Sequence, residues 1–77
     1  MSITIKLFGS LVDAVGKNEI PMQDITDTDS VRKKLIADFP VLENHSFVVA
    51  VSKRIVRENK KLNTGDEVAL LPPFAGG

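Results

Sequence analysis

Two glycines, Gly76 and Gly77, close the sequence behind Leu70-Leu71-Pro72-Pro73-Phe74-Ala75. Inside a chain, a glycine pair relaxes the backbone at a turn or linker. At a carboxyl end it puts a carboxylate on a tip without a Cβ, which can enter a channel too narrow for any other residue and take the φ and ψ that the channel imposes. Proline holds φ at about −65° and lacks an N–H, so Pro72-Pro73 stops the strand before it and sends the chain outward in an extended form. The four residues after Pro73 reach roughly 14 Å, deep enough for another protein's active site. The Gly77 carboxylate is the candidate reactive group, and Gly76 is the slender residue that lets it pass. A Gly-Gly end alone also fits a frayed terminus. The apolar strand and the proline pair ahead of it favour the reactive reading.

Other candidate chemistry is thin. With no cysteine in the sequence there is no disulfide, no thiolate metal site and no thiol nucleophile. His45 is the only histidine and lies in a polar stretch without a carboxylate pair nearby, which reads as surface. Asp27 and Asp29 lack further ligands at regular spacing and read as helix caps, so no bound metal or cofactor is expected. Ten basic and ten acidic side chains cancel, leaving no field to attract nucleic acid or anionic lipid. The one local bias, Lys53, Arg54, Arg57, Lys60 and Lys61, reads first as a solvated loop. No charged-then-apolar leader and no apolar run of about 18 residues stands in the sequence, so no membrane is implied and the cytoplasm is the default expectation.

The elements that must hold the tail can be read in order. The 77 residues suffice for one small domain with a modest core, here residues 1–71, followed by a tail over 72–77. Residues 2–8 alternate, with Ile3, Ile5 and Leu7 on one face and Thr4, Lys6 and, unexpectedly, Phe8 on the other, which predicts a strand with one buried face. Ser10 is placed to cap a short helix over 11–15 that ends at Gly16. Residues 18–23 predict a strand returning beside the first, which Pro21 makes an edge or irregular strand. Asp29 or Ser30 is the expected N-cap of the main helix, whose apolar stripe is Val31, Leu35, Ile36 and Phe39, with Arg32, Lys33, Lys34 and Asp38 toward water. Pro40 ends that helix and Leu42 lids the core. The run over 46–52 predicts a strand covered on both faces, Lys53-Arg54 a turn, Ile55-Val56 a short strand, and Gly65-Asp66 a turn into a last strand with Val68 and Leu70 inward. Apolar first and last strands pair in parallel at the centre of one sheet, with the helix crossing in the right-handed sense. The expected fold is α+β: a β-grasp with a mixed sheet of about five strands and one main helix packed across it.

With these pieces placed, the sequence resembles the ubiquitin-like sulfur-carrier family, and within it the small subunits of molybdopterin synthase. The resemblance rests on Ile5-Lys6-Leu7-Phe8-Gly9 with Leu11 and Gly16, on Ser30-Val31 with Leu35, on Val49-Ala50-Val51 and Val56, and most specifically on Leu62-x-x-Gly65-Asp66-Glu67-Val68-Ala69-Leu70-Leu71-Pro72-Pro73-Phe74-Ala75-Gly76-Gly77. It covers nearly the whole chain. Ser52 departs from it, since the family usually has asparagine there, and this bears on a turn hydrogen bond rather than on the chemistry.

The resemblance implies a carrier that is not an enzyme on its own. Because a carboxylate is charged and resonance-stabilised, it is a poor electrophile, so an adenylating activating enzyme would first convert Gly77 to an acyl-adenylate with ATP. Sulfide would then leave a thiocarboxylate, and the tail would enter the large synthase subunit and give sulfur to a cyclic pterin precursor. The implied partners are that large subunit and the activating enzyme, with Pro72, Pro73, Phe74 and Ala75 in the partner channel. Phe8, Ile55 and Leu71 form a candidate apolar docking patch on the outer sheet face, or else pack under a loop of the chain itself. The basic stretch 53–61 is available to an acidic surface of the activating enzyme. Sulfur transfer to thiamine or tRNA, conjugation of Gly77 to lysines as a ubiquitin-like modifier, and a plain binding module are the competing readings.

Overall fold

The computed structural model describes residues 2–73. Strand β1 (Ser2–Leu7) buries Ile3, Ile5 and Leu7, as the period-two pattern requires. It pairs antiparallel with β2 (Glu19–Gln23) and parallel with β5 (Val68–Leu71); β5 pairs antiparallel with β3 (Val48–Val51), and β3 with β4 (Arg54–Val56). The sheet order β2-β1-β5-β3-β4 puts the first and last strands at the centre as parallel neighbours. Pro21, opposite Thr4, falls on an edge strand, where its missing N–H breaks no ladder on the open side.

Between β1 and β2 runs the short helix α1 (Ser10–Val15). Ser10 does not cap it. Gly9 is the cap residue, with φ 60° and ψ −136°, and Ser10 is already helical, so its hydroxyl has no cap to make. At the other end Gly16 is left-handed and its N–H reaches the Val12 carbonyl at 2.7 Å, as expected.

The main helix α2 (Thr28–Asp38) starts earlier than its apolar stripe suggests. Its N-cap is Asp27, not Asp29 or Ser30: the Asp27 carboxylate accepts the Ser30 N–H at 2.9 Å. The segment after β4 selects this start. The Thr28 N–H donates to the Lys60 carbonyl and the Lys60 N–H to Thr28 Oγ1, both at 2.9 Å, while the Asp29 N–H meets Asn59 Oδ1 at 3.0 Å. Thr28 is buried as a result, and its hydroxyl is satisfied.

Val31 and Leu35 of α2 join Ile3, Ile5, Val68 and Leu70 in one buried cluster, with Ile36 and Phe39 packed at its margin. Arg32 does not simply face water. Its guanidinium lies 5.2 Å from the centroid of the Phe47 ring, a cation–π contact. Pro40 opens a 3-10 turn, Pro40–Asn44, from which Leu42 closes the core as expected.

Ser52 and Lys53, at φ 51° and 70°, make the turn between β3 and β4. Arg54, expected in the turn, is instead in β4 opposite Val51. A two-residue hairpin loop with both φ positive follows the right-handed twist of its strands, and that fixes the register. The Ser52 N–H is satisfied by the Glu67 carbonyl at 2.7 Å. The turn ahead of β5 stands where Gly65-Asp66 marks it: Asp66 Oδ2 accepts the Asn63 N–H at 2.7 Å, and the Asp66 N–H reaches the Asn63 carbonyl at 3.0 Å.

Candidate functional site

Strand β5 carries the chain to the tail. Val68 and Leu70 point into the core, which fixes the strand's rotation and so turns Ala69 and Leu71 to the outer face of the sheet. Leu71, opposite Val48, is the last strand residue; Pro72 is half-buried and Pro73 exposed. Phe74, Ala75, Gly76 and Gly77, the expected tip, lie outside the described residues.

The turn after β1 holds the root of the tail. The Phe8 N–H donates to the Leu70 carbonyl at 3.2 Å, and Gly9 lies so near Pro72 that a Cβ on it would stand 2.9 Å from Pro72 Cγ. In the sequence, Gly9 shows only as the glycine that follows the alternating run over 2–8. Its place under Pro72 has no local signature, because the contact joins opposite ends of the chain.

On the outer face, Phe8, Ile55 and Leu71 border one apolar groove of about 370 Å³. Among the described residues, Phe8 is left 46% and Ile55 51% exposed. The depression arises from two alanines. Ala50 is in register with Ala69 on one side and with Ile55 on the other, so small side chains at the centre of the face leave space between larger ones around it. Lys53 and Glu67 supply a polar border.

Among the described residues, no group of three or more His, Asp or Glu side chains converges as a metal ion would need. The Asp27 carboxyl is displaced from its ordinary value. Its hydrogen bonds with the Ser30 hydroxyl, the Ser30 N–H and the Asn59 amide, in that order, and the charge of Lys33 hold its carboxyl below the usual range. These partners mark it as a structural cap. The arrangement sets the apolar groove directly beside the end of β5.

Comparison with known proteins agrees with that geometry. The model of the ThiS family matches residues 5–77. The molybdopterin synthase sulfur carrier subunit of Chlamydomonas reinhardtii is 32% identical over 83 aligned residues, covering all of both chains. The crystal structure of SAMP1 from Haloferax volcanii superposes with a TM-score of 0.81 at 24% identity, again over the whole of both chains. A chain of the complex of subunits 1 and 2 of molybdopterin-converting factor from Helicobacter pylori 26695 superposes with a TM-score of 0.75 at 22% identity and full coverage of both chains. At these identities the two structures speak for the ubiquitin-like β-grasp fold alone. Helix, sheet order and end-to-end sequence match together lead to one conclusion: the chain belongs to the ThiS family, with molybdopterin synthase sulfur carrier subunits among its full-length relatives.

Proposed function

We propose that this chain is the sulfur-carrier subunit of a molybdopterin synthase and that Gly77 is the residue on which sulfur is carried. One observation supports this most directly. Leu71 borders the apolar groove and is also the last residue of β5, so a partner seated on the groove stands one residue from the root of the tail. Docking and delivery are coupled by that adjacency, which turns a diffusive encounter into a positioned one.

In this reading the activating enzyme joins the Gly77 carboxylate to AMP from ATP, releasing pyrophosphate. Sulfide attacks the acyl carbon and AMP leaves, giving a thiocarboxylate. In the large subunit the thiocarboxylate sulfur bonds to an electrophilic carbon of the pterin precursor as the carbon–oxygen bond at that carbon breaks and the oxygen departs. Water then cleaves the acyl carbon–sulfur bond of the resulting thioester, leaving the sulfur on the pterin and returning the Gly77 carboxylate. Phe8, Ile55 and Leu71 seat the partner, while Pro72, Pro73, Phe74 and Ala75 thread its channel. The chain itself binds no cofactor, and the reaction belongs to the cytoplasm.

The test is mass spectrometry of the chain after incubation with ATP, an activating enzyme and a sulfide source, followed by assay of molybdopterin formation with the large subunit. The expected result is the mass gain of sulfur replacing oxygen, confined to the C-terminal peptide, and loss of transfer when Gly76 and Gly77 are deleted or one residue is added after Gly77. Transfer undiminished by either change would exclude the proposal. The fold shared with SAMP1, whose related structures bear the name small archaeal modifier protein 1, favours a second reading in which Gly77 is conjugated to lysines. Lysine-linked adducts in place of a thiocarboxylate would identify it.

A further inference from the structure

The edge of the sheet at β4 carries charge that the sulfur chemistry does not use. Between positions 53 and 61 stand five basic side chains, Lys53, Arg54, Arg57, Lys60 and Lys61, against the single acidic Glu58, in a chain of zero net charge. All six are exposed. The only ion pair among the described residues joins Lys34 to Asp38 within α2, so none of the five basic groups is neutralised there. Arg54, Arg57 and Lys60 line an open cleft of about 680 Å³ together with the apolar Val51, Ile55 and Val56. Of its two acidic lining groups, Glu58 and Asp66, the second is engaged by the Asn63 N–H.

Among the described residues, no strand pairs with the outer edge of β4. In a two-residue hairpin the residues flanking the turn exchange both hydrogen bonds. Val51 with Arg54 and Val49 with Val56 are therefore the bonded pairs, and Ile55 directs its N–H and C=O to the open side of β4. A free donor and acceptor between two arginines make a template for an added strand.

We propose that this cleft binds an extended acidic segment of a partner protein, which adds to the free edge of β4 through Ile55 and sets its carboxylates against Arg54, Arg57 and Lys60. The chemistry favours polypeptide over nucleic acid. No aromatic side chain lines the cleft for base stacking, and a chain of zero net charge exerts no long-range pull on a polyanion. The mixture of apolar surface, backbone donor and acceptor, and guanidinium forks matches a strand whose side chains alternate between apolar and carboxylate. The cleft shares only Ile55 with the Phe8–Leu71 groove, so it is a second surface rather than an extension of the first.

The test is titration of the 15N-labelled full chain with three probes: a short peptide alternating glutamate and valine, its counterpart with lysine in place of glutamate, and a short single-stranded oligonucleotide. The acidic peptide is expected to shift the amides of residues 54–60 saturably, to slow hydrogen exchange at Ile55, and to weaken as salt screens exposed charges. The lysine peptide and the oligonucleotide are expected to leave those amides unmoved. Arg54→Glu combined with Arg57→Glu and Lys60→Glu, all exposed positions, should weaken the acidic peptide about tenfold or more and turn the preference to the lysine peptide. No binding of the acidic peptide, equal response to both peptides, shifts that bypass Ile55, or tighter binding of the oligonucleotide would each overturn the proposal. None of these readouts involves Gly77, so the result is independent of the sulfur-carrier reading.

Discussion

Gly9 supports Pro72: a methyl group on Gly9 would meet Pro72 Cγ at 2.9 Å, closer than unbonded carbons approach. The same residue holds φ 60° and ψ −136°, a region that side-chain-bearing residues rarely enter. The position of Pro72 after β5 therefore depends on the absence of a side chain just beyond the end of β1.

Replacing Gly9 with alanine tests that dependence. Gly9→Ala is expected to lower the free energy of unfolding by about 1–3 kcal/mol and to displace Pro72. Chemical denaturation reads the first effect, and amide shifts at Leu71 with a reduced rate of sulfur transfer read the second. Transfer at the parent rate in the folded variant would detach Gly9 from tail direction.

Phe8→Asp and Ile55→Glu separate docking from folding. Both side chains are largely exposed, so each change should alter stability by no more than about 0.5 kcal/mol. Affinity for a large synthase subunit, measured by calorimetry, should fall about tenfold or more if these residues anchor the interface.

Leu35→Ala tests the core beneath the sheet. Leu35 is wholly buried among strand and helix side chains, and its truncation leaves a cavity. The expected cost is about 2–5 kcal/mol, read from the denaturant midpoint at unchanged slope.

Asp27 predicts a component of acid sensitivity. Its folded-state pKa lies below the ordinary aspartate value, so its stabilisation is complete above that value and is lost as the pH falls through the depressed one. Asparagine keeps the capping ability without the titration. Asp27→Asn should therefore show a flatter acid limb than the parent in denaturation midpoints across an acidic pH series, and Asp27→Ala a lower midpoint at every pH.

The β3–β4 turn offers a stabilising change. Ser52 and Lys53 both hold positive φ, a conformation disfavoured for residues with a Cβ and most easily met by asparagine followed by glycine. Ser52→Asn with Lys53→Gly should raise the unfolding free energy by about 1 kcal/mol, measured by thermal or chemical denaturation.

Much of this molecule is readable from local pattern. The alternation of Ile3, Ile5 and Leu7, the stripe from Val31 to Phe39 and the inward pair Val68 and Leu70 each express the period of one element, and burial follows that period. The Leu-Pro-Pro segment marks the end of the last strand by residue type alone. The apolar patch was legible too, because Phe8 falls on the polar side of an otherwise regular strand.

Tertiary structure decided what depends on contacts between distant residues. Asp27, rather than Asp29 or Ser30, caps α2 because Asn59 and Lys60 return to bond the first helical turn. Gly9 acquires its role only when β5 lies beside β1 and brings Pro72 over it. The groove exists because Ala50 and Ala69 are brought into register across β3 and β5. A local sequence window records side-chain volume and backbone preference, whereas caps, close approaches and concavities depend on which distant segment arrives, and only the assembled sheet specifies that.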